Sequence, residues 1–347
     1  MTKKISEKTI KDLGEFGLIK HLTQDVVIRQ NSTRKGIGDD AAVIDHGNNE
    51  TIVTTDLLLE GVHFDLTYVP LKHLGYKAVI VNLSDVFAMN AVPLQITVSI
   101  GVSSKISVAA LDELYSGIKL ACNMYDIDLV GGDTSASFNG LTISITALGM
   151  ATPGSVVYRN GAKKNDLVCA SGHLGGAYMG LLLLQREKKL FEQDPSQQPQ
   201  LDDYQHLLER QLKPEARRDI ITQLREIEVK PTSMIDISDG LSSDLLHICD
   251  ASKLGCKLFA NKIPVHPATD KLSTEMGMSP LVAALNGGED YELLFTIAME
   301  DFEKVQNMQQ VTVIGHMTDN SEGTHMILDD DSAIPLVAQG WQAQEGL

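Results

Sequence analysis

No apolar run in this chain reaches the roughly 18 residues that span a bilayer, so a membrane-crossing helix is not expected. The lysines at positions 3 and 4 precede no apolar segment, which predicts no signal peptide. Basic charge is scarce: 29 Lys and Arg stand against 46 Asp and Glu, a formal net charge of -17. That balance argues against nucleic acid or an anionic membrane as a partner. The four cysteines, Cys122, Cys169, Cys249 and Cys256, form no CxxC pair, and the histidines are not paired at zinc spacing. Reduced, buried thiols and a cytoplasmic location are the expectation. No GxxxxGK[ST] loop, kinase HRD or DFG set, or GxSxG elbow is present, which excludes the commonest phosphotransferase and hydrolase motifs.

What is present is ample core material and a series of acidic turns. At 347 residues the length suggests two domains, and 43% of residues are hydrophobic. The first half alternates strand-like and helix-like runs. Strands are expected at 51–55, ending at Asp56, then at 94–101, 128–130 and 141–150. Helices are expected at 71–89 and 108–125. Residues 152–161 are rich in turn formers and mark a domain boundary, giving units 1–150 and 151–347. The second unit is expected to hold strands 166–171, 233–237, 291–297 and 311–314, and helices 177–186, 204–211, 215–225 and 241–252. The polar stretch 187–203 reads as an exposed loop without chemistry. No short tandem repeat is found.

Five acidic motifs recur beside Gly, Ser or Thr, most of them at the end of an apolar run. They are Gly38-Asp39-Asp40, Thr54-Thr55-Asp56, Leu83-Ser84-Asp85, Gly131-Gly132-Asp133 and Asp236-Ile237-Ser238-Asp239-Gly240. A surface turn accounts for Gly38-Asp39-Asp40 taken alone, and a strand exit for Thr54-Thr55-Asp56. Converging carboxylates repel one another, and Mg²⁺ relieves them while favouring substrate phosphates as further ligands. Asp85 lies within an apolar helical run, where an unpaired carboxylate is costly. Asp236, Ser238 and Asp239 leave a strand where a helix begins, and helix amides favour anions. Asp244 suits either a second-tier ligand or a solvated helix face. Asp39 is left open as a ligand. Gly287-Gly288-Glu289-Asp290 places two acids before a strand, with Glu289 suited to a metal, an amine or a cation. The chemistry these residues suit is phosphoryl transfer, which needs charge neutralisation and alignment more than a covalent nucleophile.

In this order the motifs resemble those of the thiamine-monophosphate kinase family. The resemblance runs from Gly14-Glu15-Phe16-Gly17-Leu18-Ile19 to Trp341, the one tryptophan, and covers nearly the whole chain. Single motifs are shared with aminoimidazole ribonucleotide synthetase, selenophosphate synthetase and a hydrogenase-maturation dehydratase. The resemblance implies an α+β fold of two domains, with an N-terminal β-sheet domain that pairs in a homodimer and a C-terminal α/β sandwich. It implies in-line transfer of the γ-phosphoryl group of ATP to thiamine monophosphate, the final step of thiamine diphosphate biosynthesis, with several Mg²⁺ ions. It makes Asp40, Thr54, Thr55, Asp56, Asp85, Asp133, Asp236 and Asp239 metal ligands. Gly132, Asp133, Arg159, Ser238 and Tyr115 fall to ATP, and Asp85, Asp236 and Arg159 to catalysis. His63, Glu289 and Trp341 fall to the thiamine moiety, whose cationic ring suits a carboxylate and an aromatic face. A different acceptor within the superfamily is the second reading. A selenophosphate synthetase typically carries a reactive Cys near its N-terminus, whereas the first cysteine here is Cys122. A nucleotide-binding regulator without catalysis is the third, and the complete acidic set speaks against it.

Overall fold

The computed structural model describes Gly17, Ile19, Lys20, Thr23, Gln24, residues 26–196 and residues 198–338. Six strands precede residue 152: β1 (Thr33–Lys35), β2 (Ala42–Asp45), β3 (Glu50–Leu59), β4 (Val92–Val102), β5 (Asp128–Ala136) and β6 (Thr142–Ala151). They form one sheet in the order β1-β2-β3-β6-β4-β5. Only the β4–β5 pair is parallel. Two helices, α1 (Leu71–Ala88) and α2 (Val108–Tyr125), cover one face. The alternation in β6 shows why: Ile143, Ile145 and Ala147 are buried toward the helices, while Ser144, Thr146 and Leu148 lie on the other, partly open face.

α1 is apolar on most of its circumference and is buried over most of its length, with Lys77, Asn82 and Ser84 among the buried residues. α2 buries one stripe, Leu114, Gly117, Ile118, Ala121, Cys122 and Tyr125, and Ser107 caps its first turn by accepting from the Ala110 amide. The two helices cross at a glycine on each side. A Cβ on Gly75 would lie 2.0 Å from the Leu114 carbonyl oxygen, and one on Gly117 would lie 1.8 Å from that of Lys72. This close approach fixes where α1 sits, and α1 carries Lys77, Asn82, Ser84 and Asp85.

The second sheet comprises β7 (Leu167–Ser171), β8 (Ser233–Ile237), β9 (Leu254–Phe259), β10 (Glu292–Ile297), β11 (Val311–Asp319), β12 (Thr324–Ile327) and β13 (Ala333–Pro335). Their order is β13-β12-β9-β11-β7-β10-β8. Helices α3 (Gly176–Gln193), α4 (Gln205–Leu212), α5 (Arg218–Glu226), α6 (Leu241–Ser252), α7 (Pro267–Glu275), α8 (Pro280–Asn286) and α9 (Phe302–Val305) complete this half. One apolar cluster continues from α1 and β6 through α5 into β10, so the two halves share core.

Three sequence expectations are corrected. β3 does not end at Asp56, because Leu57, Leu58 and Leu59 keep pairing with β6. Gly131-Gly132-Asp133 is not a turn but the middle of β5, where a Cβ on Gly132 would meet the Val98 carbonyl oxygen at 1.8 Å. The stretch 187–203 is not simply a loop: α3 runs on to Gln193, and Glu187 is buried, accepting from the Gln200 amide.

Candidate functional site

Three carboxylates meet where the two sheets face each other across α1. One oxygen each from Asp40, Asp85 and Asp236 lies within 4.8 Å of the others. Asp40 arrives on the loop before β2, Asp85 on the last turns of α1, and Asp236 near the end of β8. At that spacing and an effective dielectric of about 20, each pair repels by roughly 3 kcal/mol. Such a set needs protons or cations.

The surrounding hydroxyls aim Asp85 and Asp236 without neutralising them, and only Asp40 has a cationic partner in Arg159 among the described residues. The Thr54 hydroxyl donates to Asp85 Oδ2 at 2.6 Å, and the Ser84 hydroxyl donates to Asp236 Oδ2 at 2.7 Å. Arg159 Nη2 donates to Asp40 Oδ1 at 2.7 Å. Asp40 Oδ2 and Arg159 Nε are buried without a partner among the described residues. Thr54 and Asp56 share the helix-facing side of β3, and the Asp56 amide donates to Asn82 Oδ1 at 3.1 Å. Thr55 points to the opposite side, where its hydroxyl donates to the Ile145 carbonyl, so its side chain does not join the cluster.

The electrostatics follow from burial. Asp236 is pushed up to about 7, Asp40 and Asp56 to about 6, and in each case loss of water is the largest cause. Asp85 is raised well above the usual range by burial, then by Asp56, Asp236 and Asp40. Asp244 is also raised well above it, and its carboxylate accepts from the Asp239 amide at 3.3 Å. It is therefore an inward support of the 238–240 turn and not a solvated face. Asp39 is engaged structurally: its carboxylate accepts from the Arg159 amide and pairs with Lys35. An all-oxygen, anionic donor set with an orphaned carboxylate oxygen fits Mg²⁺.

A second group of residues sits beside the first. Gly288, Glu289 and Tyr291 all have positive φ, 69°, 59° and 51°. That strain persists because the loop is pinned: the Glu289 and Tyr291 amides donate to the Ser238 and Ile237 carbonyls. A side chain on Gly288 would meet the Ser238 carbonyl oxygen at 2.6 Å. Glu289 and Asp290 therefore diverge. Asp290 caps the start of α3 through the Gly175 and Ala177 amides. Glu289 faces Lys77 at 3.1 Å and accepts from Gln211 Nε2 at 3.0 Å. His63, exposed, accepts from the Leu59 amide through Nδ1. Its pKa is lowered by partial burial, with Glu289 pulling the other way.

The remaining expected residues stand apart. Gly132 and Asp133 lie on β5, whose nine residues are all exposed. Register aligns Asp56 with Ile145, Ile145 with Val98, and Val98 with Gly132. Three strand spacings of about 4.8 Å thus separate Gly132 from Asp56 along the sheet. Tyr115 packs against the core on α2, away from the acidic cluster's hydrogen bonds. Trp341 lies outside the described residues. Sequence reading did not single out Lys77, Asn82 or Gln211. Their one available signal was a polar side chain inside, or beside, an apolar helical run.

The sheet order and the buried acids define a class before they define a member. The family model for "AIR synthase related protein, N-terminal domain" matches residues 38–151, from the loop bearing Asp39 and Asp40 to the end of β6. HypE, a hydrogenase maturation protein of Escherichia coli, has the same fold at 16% identity and a TM-score of 0.67. The particular relatives are nearer. The thiamine-monophosphate kinase of Aquifex aeolicus is 34% identical over 96% of this chain and 99% of its own length. That of Escherichia coli K12 is 33% identical over 92% of this chain and 94% of its own. The solved structure of AaThiL complexed with AMPPCP and TMP aligns with a TM-score of 0.83 at 30% identity, covering 97% of this chain and 99% of that one. The chain belongs to the thiamine-monophosphate kinase family.

Proposed function

We propose that this protein transfers the γ-phosphoryl group of ATP to the phosphate of thiamine monophosphate, giving thiamine diphosphate. The observation that carries the reading is the Asp40–Asp85–Asp236 cluster in a chain of this family. A relative of similar architecture holds AMPPCP and TMP together. Mg²⁺ supplies the charge neutralisation that both phosphates need. Asp40, Thr54, Asp56, Asp85, Asp236 and Asp239 would hold it, while the Thr55 side chain faces away. Asp85 and Asp236 are the central pair, because Thr54 and Ser84 orient them. Arg159, anchored on Asp40, offers its unpartnered Nε to a phosphate. Ser238 stands exposed on the turn before α6, suited to the nucleotide. The attacking oxygen belongs to the substrate phosphate, ionised at neutral pH, so no strong general base is required. His63, Glu289 and Trp341 take the thiamine end.

We further propose that residues 1–150 bind ATP and Mg²⁺ and dimerise, while 151–347 complete the ATP and thiamine-phosphate site. β5 is an edge strand exposed along its length, and an open edge with an uncovered sheet face calls for a partner. A second copy of the chain fits: Gly132 and Asp133 are too far along the sheet from Asp56 to share one ion at Mg²⁺ bond lengths of about 2.1 Å. Across a homodimer they reach the neighbour's nucleotide. No helix among the described residues is long and apolar enough to cross a membrane.

The deciding experiment is purified protein with Mg-ATP and thiamine monophosphate, with thiamine diphosphate read as its oxidised fluorescent derivative. Product that depends on both Mg²⁺ and ATP is expected. ATP binding without product would assign the site to another acceptor.

A further inference from the structure

Lys77 is a buried cation that belongs to none of the acidic motifs. It is 6% exposed on α1. Its ammonium donates to the Gln211 carbonyl at 3.0 Å and pairs with Glu289 Oε1 at 3.1 Å. Gln211 Nε2 donates to Glu289 Oε2 at 3.0 Å. Both oxygens of Glu289 are therefore engaged by the protein's own donors. A buried ammonium costs more than an apolar side chain of the same length, so packing alone does not call for lysine here.

Glu289 is also the carboxylate offered to the thiazolium. A cationic ring arriving there meets Lys77 on the same carboxylate, and two cations sharing one anion repel. The substrate carries the remedy, because its other end is a phosphate dianion. Lys77 and Asp85 lie eight residues apart on one face of α1, about 12 Å along the axis. The same helix face thus presents an ammonium at the acceptor end and carboxylates at the metal end. A molecule with its ring at Glu289 and its phosphate directed toward Asp85 must pass along that face. Lysine's flexible stem lets the ammonium turn with it.

We infer that Lys77 is a substrate-binding residue that yields Glu289 to the thiazolium and takes the substrate's phosphate in exchange. The inference rests on the kinase reading above. Lys77 thereby selects the phosphorylated vitamin over the free one.

The test is calorimetric binding of thiamine monophosphate and of thiamine to the wild type, Lys77→Met and Lys77→Arg. Loss of the charge is expected to weaken thiamine monophosphate by roughly tenfold or more, the size of a lost charge-assisted contact. Thiamine should bind Lys77→Met as well as or better than wild type. Lys77→Arg should keep most of the preference. Equal weakening of both ligands, or no change in either, overturns the inference and leaves Lys77 as a strut for Glu289. If Lys77→Met fails to fold, Glu289→Gln reads the same exchange from the other side. Thiamine should then weaken more than thiamine monophosphate, and an unchanged ratio overturns the proposal. A wild type that binds neither ligand overturns the kinase reading itself. Wild-type turnover with an unchanged ratio in the variants overturns only the role of Lys77.

Discussion

Asp85 and Asp236 owe their chemistry to the water they have lost. Replacing either with Asn keeps its shape and its acceptor for Thr54 or Ser84 while removing the charge that, in the proposed function, holds metal. Turnover should fall by roughly 10³-fold, the scale of losing one preorganised electrostatic group. Melting of the metal-free variant should match or exceed wild type, because a raised buried carboxylate is a liability in the absence of cations. A variant active at saturating Mg²⁺ would remove the cluster from the mechanism. The pH dependence follows from the same burial. Asp40, Asp56 and Asp236 keep their protons up to about 6 or 7 when folded, against about 4 when unfolded. The folded metal-free state therefore binds more protons, and its stability declines as pH rises through that window. Mg²⁺ competes with those protons. Thermal shift at pH 5.5 and pH 8 should show a larger Mg²⁺-induced rise at pH 8. An equal rise at both would mean the ion binds elsewhere. These carboxylates were visible in the sequence as types and motifs. Their raised pKa values were not, since desolvation depends on what packs over them.

At the scale of elements, α1 determines how well the site is built. It carries Lys77, Asn82, Ser84 and Asp85, and its position depends on the glycine crossing with α2. Gly117→Ala would place a methyl 1.8 Å from the Lys72 carbonyl oxygen, which the backbone must move to accept. A loss of about 1–3 kcal/mol is expected, as for other overpacked cores. Denaturant unfolding checks the stability, and the assay should show lower turnover because Asp85 shifts with the helix. A variant as stable as wild type would show that the helices separate freely. Helices 71–89 and 108–125 were legible from length and apolar content, and their observed spans differ by at most a residue. β5 was less so: its glycines read as a turn, because single-sequence cues cannot show that a neighbouring carbonyl excludes a Cβ. The loop through Glu289 was legible as two acids before a strand, but its strain and its pinning to Ser238 required the neighbouring β8.

For the whole molecule, the open edge at β5 is the consequential feature. If Asp133 serves the neighbour's nucleotide, Asp85→Asn and Asp133→Asn are each inactive alone. Co-expressed and randomly paired, they should recover roughly a quarter of wild-type activity, since half the dimers are mixed and one site in each is whole. No recovery in verified mixed dimers would place Asp133 in its own chain's site. Light scattering on the wild type gives the oligomeric state beforehand.

The acid-bearing motifs, the two-part length and the absence of a P-loop are properties of local sequence. They were enough to narrow the chemistry to metal-supported phosphoryl transfer. Strand and helix periods also follow locally, because apolar spacing alone generates them. Convergence is different. Asp40 and Asp236 are nearly two hundred residues apart in the chain, and only the packing of two sheets on α1 brings them within 4.8 Å. The same packing turned Asp290 away to cap α3, set Asp244 behind the turn and placed Lys77 on Glu289. Each of these outcomes depends on what a side chain meets across the core, which no neighbouring residue in the sequence specifies.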